Sequence, residues 1–253
     1  MPAAVSTFKV ILFDFGSTLI YSKDPWPPIY EQADQALVQV FRHAGIPLEI
    51  KAFSSEFETF LDSYYAERGT SPVEKTTFSA LQDLLQQKGL QDIPAAVIRT
   101  ALDALYSVTQ QNWYLETDAI PTLKTLRAHG YRLGMISNTS DDKNVQQLVD
   151  RWELRSFFET IVTSAGCGFR KPDERIFRIA MDHFGVSPEQ VAMVGDSLEA
   201  DILGANQMGI YSIWITRRID LPGEGKLSIQ PQAVIPTLEL LPGLLADIEN
   251  EAP

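Results

Sequence analysis

The chain has 253 residues, of which 45% are hydrophobic and 21% are charged, and its formal net charge is −12. This length suffices for one large α/β domain or for a core that carries an inserted subdomain. A strongly acidic chain without a basic stretch argues against nucleic acid or an anionic membrane surface as a partner. It is compatible with a small anionic substrate, because a single local pocket can be positive.

A single cysteine, Cys167, rules out an intramolecular disulfide and fits a reducing compartment. The first residues show no basic segment followed by a long apolar run, so we expect no signal peptide. No window approaches 18 consecutive apolar residues, so we expect no membrane span. We therefore expect a cytoplasmic protein, and the sequence leaves its oligomeric state open.

The first element in chain order is the apolar run "KVILFDF" at 9–15, which is typical of a buried strand. Residues 21–109 then contain no convincing strand. Helical patterns are predicted there at 28–45, 49–68, 73–89 and 94–112, the last running slightly past the segment's end. We predict an all-helical subdomain over 21–109, inserted directly after the first strand.

Beyond the insertion, short apolar runs alternate with helical patterns. The predicted strands are 131–137, 160–164, 191–195, 211–216 and 233–235, and the predicted helices are 120–130, 141–152, 173–185 and 198–209. This alternation with short links predicts an α/β core with a doubly wound, Rossmann-like parallel sheet, made of residues 1–20 and 110–253.

Polar side chains stand where these strands end. They are Asp14 after the first strand, Ser137 and Asn138 after the second, Lys171 in the loop after the third, and Asp196 after the fourth, with Asp201 one helical turn further on. In open α/β sheets, ligands bind outside the carboxyl ends of the strands. The sequence therefore brings three carboxylates, an ammonium group and a hydroxyl to one edge.

That set of groups suits a phosphoryl substrate. Asp14 can act as a nucleophile, since carboxylates form aspartyl phosphates. Asp14 and Asp196 can hold Mg²⁺, a hard cation that is bound through one or two carboxylates and substrate phosphate oxygens. Lys171 can neutralise charge, and Ser137 can donate a hydrogen bond to a phosphate oxygen. Phosphoryl transfer needs mainly positioning and electrostatic stabilisation, which this set supplies.

Four motifs in order, "FDFGSTL", "ISNTS", "RKPDERIF" and "VGDSLEADILGANQMG", resemble those of the haloacid dehalogenase-like hydrolase superfamily. The resemblance covers about 1–20 and 110–253, and the inserted helices match the position of that family's helical cap. It implies a Mg²⁺-dependent phosphatase that acts on a small phosphorylated metabolite through an aspartyl-phosphate intermediate.

The resemblance also implies individual roles. These are Asp14 as nucleophile and metal ligand, Ser137 and Asn138 as phosphate-binding residues, Lys171 as the stabilising lysine that also contacts phosphate, Asp196 as the second metal carboxylate, and Asp201 as a neighbour of the metal or a ligand through water. Gly16 is implied as a metal ligand through its backbone carbonyl.

Gly16 is also where the chain departs from the family pattern Asp-x-Asp-Gly-Thr. Phosphatases usually carry an aspartate here that protonates the leaving oxygen and later activates water, and Gly16 cannot move a proton. Ser17 replaces the usual glycine, whereas Thr18 and Leu19 match. General acid–base catalysis contributes about 10²–10⁴-fold, so its loss is expected to lower turnover without abolishing it.

Two alternatives remain open at this point. One is a phospho-ligand binding or regulatory protein with weak or no catalysis, which Gly16 favours. The other is a dehalogenase or phosphonatase, because those branches also vary this position. A phosphonatase would use a lysine of the cap as a Schiff base, for which Lys23 and Lys51 are candidates. The presence of Asp196 favours a metal site instead.

Overall fold

The computed structural model describes residues 8–66, 71–219 and 228–250, without the side chains of residues 64 and 65. Contacts divide the chain into two units. The core unit comprises Met1–Tyr21, Leu115–Asn138 and Val149–Pro253, and the helical unit comprises Ser22–Tyr114 and Thr139–Leu148. No helix in these described ranges is both long and apolar enough to cross a membrane.

The strands are β1 (Val10–Phe13), β2 (Ile20–Ser22), β3 (Trp113–Leu115), β4 (Arg132–Ser137), β5 (Thr160–Thr163), β6 (Val191–Gly195), β7 (Tyr211–Ile215) and β8 (Ala233–Ile235). The helices are α1 (Trp26–His43), α2 (Ile50–Ala66), α3 (Thr77–Gln87), α4 (Ala95–Thr109), α5 (Ala119–Ala128), α6 (Asp142–Arg151), α7 (Ser164–Cys167), α8 (Glu174–Phe184), α9 (Leu203–Met208) and α10 (Leu241–Asn250).

Six strands form one sheet in the order β5-β4-β1-β6-β7-β8, and all neighbouring pairs are parallel. This confirms the predicted doubly wound α/β core. Every residue of β1 is completely buried, as expected for a central parallel strand covered on both faces. Phe13 of β1 lies level with Met135 of β4 and Val194 of β6, so the three strands deliver their following residues to one edge.

The helical unit has a hydrophobic core of its own, which includes Leu37, Phe41, Phe53 and Leu81. Its third helix begins four residues later than the sequence pattern predicts. The reason is a cap: the Thr76 side chain accepts a hydrogen bond from the backbone N–H of Ser79, and this fixes the first turn.

The structure differs from the sequence-based division in two further ways. Strands β2 and β3 form a small two-stranded sheet that was not predicted, because three residues are too few to show a pattern. The segment Thr139–Leu148 groups with the helical unit, whereas its sequence follows a core strand and was assigned to the core.

Candidate active site

Asp14 follows β1 at the carboxyl edge of the sheet, and its backbone N–H donates to the carbonyl of Val194 at 2.9 Å. The chain then turns sharply, because Leu19 and Ile20 both donate to the carbonyl of Phe15. Ser17 takes a left-handed conformation, with φ of 58°. The turn therefore keeps the backbone shape that favours glycine, although a serine occupies the position.

The neighbouring Gly16 is half-buried and pairs with Ile20 in an isolated bridge of the parallel type. It brings no proton-carrying side chain to this turn. Thr18 is fully buried, and its hydroxyl has no hydrogen-bond partner among the described residues.

Lys171 is only 3% exposed and holds the centre of the site. Its Nζ donates to Oδ1 of Asp14 at 2.6 Å and to the carbonyl of Ile136 at 2.7 Å, and it lies 2.7 Å from Oδ1 of Asp201. Burial alone would lower the pKa of Lys171, but the charges of Asp14 and Asp201 outweigh it and raise the pKa. The ammonium group is therefore charged and fixed.

The contact with Lys171 uses one oxygen of Asp14 only. Within the described residues, Oδ2 of Asp14 accepts no hydrogen bond, and the Asp14 side chain is 11% exposed. One oxygen of this carboxylate is therefore held by a cation, and the other is available for chemistry.

Asn138 holds the backbone of Lys171 through both ends of its amide. Its Nδ2 donates to the Lys171 carbonyl at 2.9 Å, and its Oδ1 accepts from the Lys171 N–H at 2.8 Å. The predicted phosphate contact of Asn138 stays a prediction, and in this structure its amide positions the lysine. Ser137, 5% exposed, ends β4 directly after the Ile136 carbonyl that receives Lys171.

Asp196 and Asp201 follow β6, where the chain forms a π-helical turn, Leu198–Ile202. Oδ2 of Asp201 accepts from the N–H of Ser197 at 3.0 Å. The strand ends in Gly195, and a Cβ atom there would lie 2.3 Å from Cγ of Asp201. Only glycine lets the buried carboxylate approach the strand this closely.

Sequence reasoning missed one residue that positions Asp196. The Nε1–H of Trp214, on the neighbouring strand β7, donates to the Asp196 carbonyl at 2.8 Å. Trp214 is 3% exposed. In the sequence it is one apolar residue of a buried strand, so nothing there indicates a polar role.

Asp14, Asp196 and Asp201 each offer an oxygen, and these three oxygens lie within 4.8 Å of one another. We call these residues and Lys171 the acidic cluster: three carboxylates and one ammonium give a net charge of −2 when all are ionised. Burial, and then the charges of Asp14 and Asp201, raise the pKa of Asp196 to about 8. Oδ1 of Asp201 accepts no well-aligned hydrogen bond among the described residues.

These observations together fit a divalent cation. The donors are hard oxygen atoms, which Mg²⁺ prefers, and the fully ionised cluster lacks two positive charges. Asp14, Asp196 and Asp201 are the residues that could hold the ion.

A second group of charges, whose two carboxylates are buried, lies in the same unit, and we call it the paired cluster: Glu116, Asp118, Arg217 and Arg218. Nη1 of Arg217 donates to Glu116 at 2.7 Å and to Asp118 at 2.8 Å, and Nε of Arg218 donates to Glu116 at 2.8 Å. Burial favours a higher pKa for Asp118, but the hydrogen bonds and charge of Arg217 outweigh it and lower the pKa. Here two guanidinium groups balance two carboxylates.

The chain is similar to several known proteins. It is 31% identical to a glyceraldehyde 3-phosphate phosphatase of Methanothermobacter thermautotrophicus over 83% of this chain and 87% of that protein. The solved structure of an HAD phosphatase from Thermococcus onnurineus matches with a TM-score of 0.64 and 25% identity, over 94% of this chain and 98% of that one.

A 2-haloacid dehalogenase from Pseudomonas syringae shares the same fold, with a TM-score of 0.66, 22% identity and coverage of 95% and 99%. Residues 8–209 match the family described as haloacid dehalogenase-like hydrolase. This match spans most of the chain and includes all the motifs singled out above. The chain is therefore a member of the haloacid dehalogenase-like hydrolases.

Proposed function

We propose that this hydrolase is a phosphatase of small phosphorylated metabolites, with Asp14 as its nucleophile. The observation that carries the proposal is the state of the Asp14 carboxylate. Lys171 holds Oδ1 at 2.6 Å, Oδ2 accepts no hydrogen bond from the described residues, and two further carboxylates lie beside it. The relatives named as phosphatases support the same reaction.

In the proposed reaction, Oδ2 of Asp14 attacks the phosphorus atom. The bond from Oδ2 to phosphorus forms while the bond from phosphorus to the leaving oxygen breaks, which gives an aspartyl phosphate. Water then attacks that phosphorus, and inorganic phosphate and the free carboxylate are released. Lys171 orients Asp14 through its contact with Oδ1, and in this proposal Ser137 donates a hydrogen bond to a phosphate oxygen.

Asp14, Asp196 and Asp201 would hold Mg²⁺, with the Gly16 carbonyl as the further ligand that the family pattern implies. A bound Mg²⁺ would supply positive charge next to the phosphate oxygens. Without it, the net charge of the acidic cluster would repel a phosphate dianion.

Because of Gly16, protonation of the leaving oxygen is the step of this reaction that lacks an assigned residue. No side chain at this position can protonate the leaving oxygen, so the proton must come from another residue, from water or from the substrate. Substrates whose leaving group is already a weak base, such as acyl or aryl phosphates, are expected to suffer least from its absence.

The test is phosphate release by the wild type, Asp14→Asn and Gly16→Asp, each with Mg²⁺ and with EDTA. The substrates are p-nitrophenyl phosphate and glyceraldehyde 3-phosphate, the substrate named for a relative. We expect turnover by the wild type with Mg²⁺ only and none by Asp14→Asn. We expect Gly16→Asp to accelerate the alkyl ester more than the aryl ester.

A binding or regulatory role is the second candidate, and Gly16 is the observation that favours it. A wild type that binds phosphate but does not turn over, beside a Gly16→Asp variant that does, would establish this role. If neither the wild type nor Gly16→Asp releases phosphate from any ester, the phosphatase proposal is wrong.

Halide release without metal would instead indicate a dehalogenase, and borohydride trapping of a substrate on a lysine would indicate a phosphonatase. A Schiff-base lysine is activated by desolvation or by a neighbouring cation. Lys23 and Lys51 are both exposed, so desolvation does not activate either of them.

A further inference from the structure

The indole of Trp214 holds the backbone directly after strand β6. In the sheet, Trp214 of β7 lies level with Gly195, the last residue of β6. Its Nε1–H donates to the carbonyl oxygen of Asp196 at 2.8 Å, and Trp214 is only 3% exposed. Because a hydrogen bond is stronger away from water, this contact fixes the direction of the Asp196 carbonyl.

The same peptide unit is held at its other end. The N–H that follows the Asp196 carbonyl belongs to Ser197, and it donates to Oδ2 of Asp201 at 3.0 Å. A peptide unit is planar, so its C=O and N–H groups cannot turn independently of each other. The indole that fixes the Asp196 carbonyl therefore also fixes the N–H group that Asp201 accepts.

Both carboxylates that depend on this peptide unit belong to the acidic cluster. The Cα atom of Asp196 lies in the peptide plane itself, and Asp201 is hydrogen-bonded to the plane through Ser197. Asp14 is held separately, through its own backbone N–H and through Lys171. A rotation of the peptide unit would shift Asp196 and remove a hydrogen bond from Asp201, while Asp14 would keep its contacts.

From these contacts we infer that Trp214 is a positioning residue that sets the affinity of the acidic cluster for Mg²⁺. It acts through the peptide unit between Asp196 and Ser197 rather than through a bond to the ion. Residues that orient metal ligands from outside the coordination shell typically contribute about 10- to 100-fold to metal affinity. The inference rests on the proposed function, because it takes the acidic cluster as the site that holds Mg²⁺.

The variants compare two tryptophans of the core unit that differ in the partner of their N–H group. Trp214→Phe removes the donor and keeps an aromatic side chain at the same position. Trp152→Phe is the matched control, because Nε1 of Trp152 is buried without a hydrogen-bond partner among the described residues. Both variants lose an indole N–H group, but only Trp214→Phe loses a hydrogen bond to the backbone of the acidic cluster.

Calorimetric titration with Mg²⁺ measures the affinity without any turnover. We expect the Kd for Mg²⁺ to rise about tenfold in Trp214→Phe and to keep its wild-type value in Trp152→Phe. Thermal unfolding of the metal-free proteins separates this effect from a purely structural one. A Trp214→Phe protein that unfolds at a lower temperature but binds Mg²⁺ with wild-type affinity would overturn the inference.

The wild-type protein offers a second measurement, which decides the question even if Trp214→Phe does not fold. The chain has four tryptophans, and each indole N–H group gives one NMR signal. Separate substitution of Trp26, Trp113 and Trp152 by phenylalanine assigns the signal of Trp214 by elimination. We expect Mg²⁺ to shift the Trp214 signal more than that of Trp152, and a Trp214 signal that does not respond to Mg²⁺ would contradict the inference.

These measurements are separate from phosphate release, which tests the phosphatase proposal. Unchanged Mg²⁺ affinity in Trp214→Phe, beside phosphate release by the wild type, would overturn the role of Trp214 and leave the phosphatase proposal intact. Weaker Mg²⁺ binding in Trp214→Phe, without phosphate release by the wild type, would support the role of Trp214 and count against the phosphatase proposal. A wild type that does not bind Mg²⁺ would overturn the inference outright.

Discussion

The core unit contains two clusters of charge whose carboxylates are largely buried, and the two clusters differ in the balance of their charges. The paired cluster matches two carboxylates with two guanidinium groups, and Arg217 lowers the pKa of Asp118. The acidic cluster sets three carboxylates against one ammonium, and the pKa of Asp196 rises to about 8. A cluster with balanced charges is typical of a group that stabilises the fold, whereas a cluster with unbalanced charges is typical of a site that binds a ligand.

The largest expected difference between the two clusters concerns Asp14. Asp14→Asn keeps the shape of the side chain but cannot form the aspartyl phosphate, so we expect turnover to fall by at least about 10³-fold. Because the change removes one negative charge from an unbalanced cluster, thermal unfolding of the metal-free variant should occur at the wild-type temperature or above it. Phosphate release and calorimetry measure the two effects, and a lower unfolding temperature would contradict the second.

Arg217→Met should show the opposite behaviour. Breaking a buried ion pair leaves an uncompensated charge, and we expect the free energy of unfolding to fall by about 3 kcal/mol. Turnover per folded molecule should change far less than in Asp14→Asn. Denaturant unfolding measures the loss, with Arg155→Met, which breaks an exposed pair with Asp150, as the control expected to have no effect. Equal losses of unfolding free energy in Arg217→Met and Arg155→Met would show that the paired cluster stabilises the fold no more than an exposed ion pair does.

Gly195→Ala tests how closely the acidic cluster must be packed. A methyl group there meets the Asp201 carboxylate, which must move, and we expect kcat/KM to fall about tenfold or more. Gly243→Ala is the matched control, because no atom lies within 4 Å of its added Cβ. Wild-type kinetics in Gly195→Ala would mean that the position of Asp201 does not matter.

The smallest expected effect concerns Asp34 of the helical unit, a carboxylate that forms no ion pair among the described residues. Burial raises the pKa of Asp34 to about 6, against a hydrogen bond from Ser54 and together with the charge of Glu58. The folded state therefore binds more protons than the unfolded state between pH 3.8 and about 6. Stability falls as the pH rises through this window.

Asp34→Asn removes that loss. After allowance for solvent screening, we expect about 1 kcal/mol of added stability at pH 7 and little difference at pH 3.5. Denaturant unfolding at both pH values measures it, and Asp62→Asn, on the exposed face of α2, is the control. A benefit that is the same at both pH values would point to a cause other than the charge.

The sequence predicts the sheet and its polar edge well, for a physical reason. Buried parallel strands are continuous apolar runs. Asp14, Ser137 and Asp196 interrupt or follow such runs, where burying a polar group costs free energy unless the group has a partner. Lys171 and Asp201 could be placed at that edge by their motifs. Their mutual distances required the structure.

The rest depends on contacts between segments far apart in the chain, which carry no local signal. Glu116 and Arg217 are about one hundred residues apart and neither belongs to a motif. The hydrogen bond from Trp214 to the Asp196 carbonyl joins a residue of β7 to the end of β6, and both strands are mostly apolar in sequence. Asn138 follows the expected pattern, but only the structure reveals that its amide holds the backbone of Lys171.

The division of the chain into units has a consequence for anyone who wishes to exchange its parts. The chain passes between the units at four places, after Tyr21, Tyr114, Asn138 and Leu148. Excision of residues 22–114 alone would leave Asp141 without Arg99 and Ser140 without Thr77. A chimera that carries the helices of a relative must therefore carry residues 139–148 of that relative as well, so the recombinable module is two segments and not one.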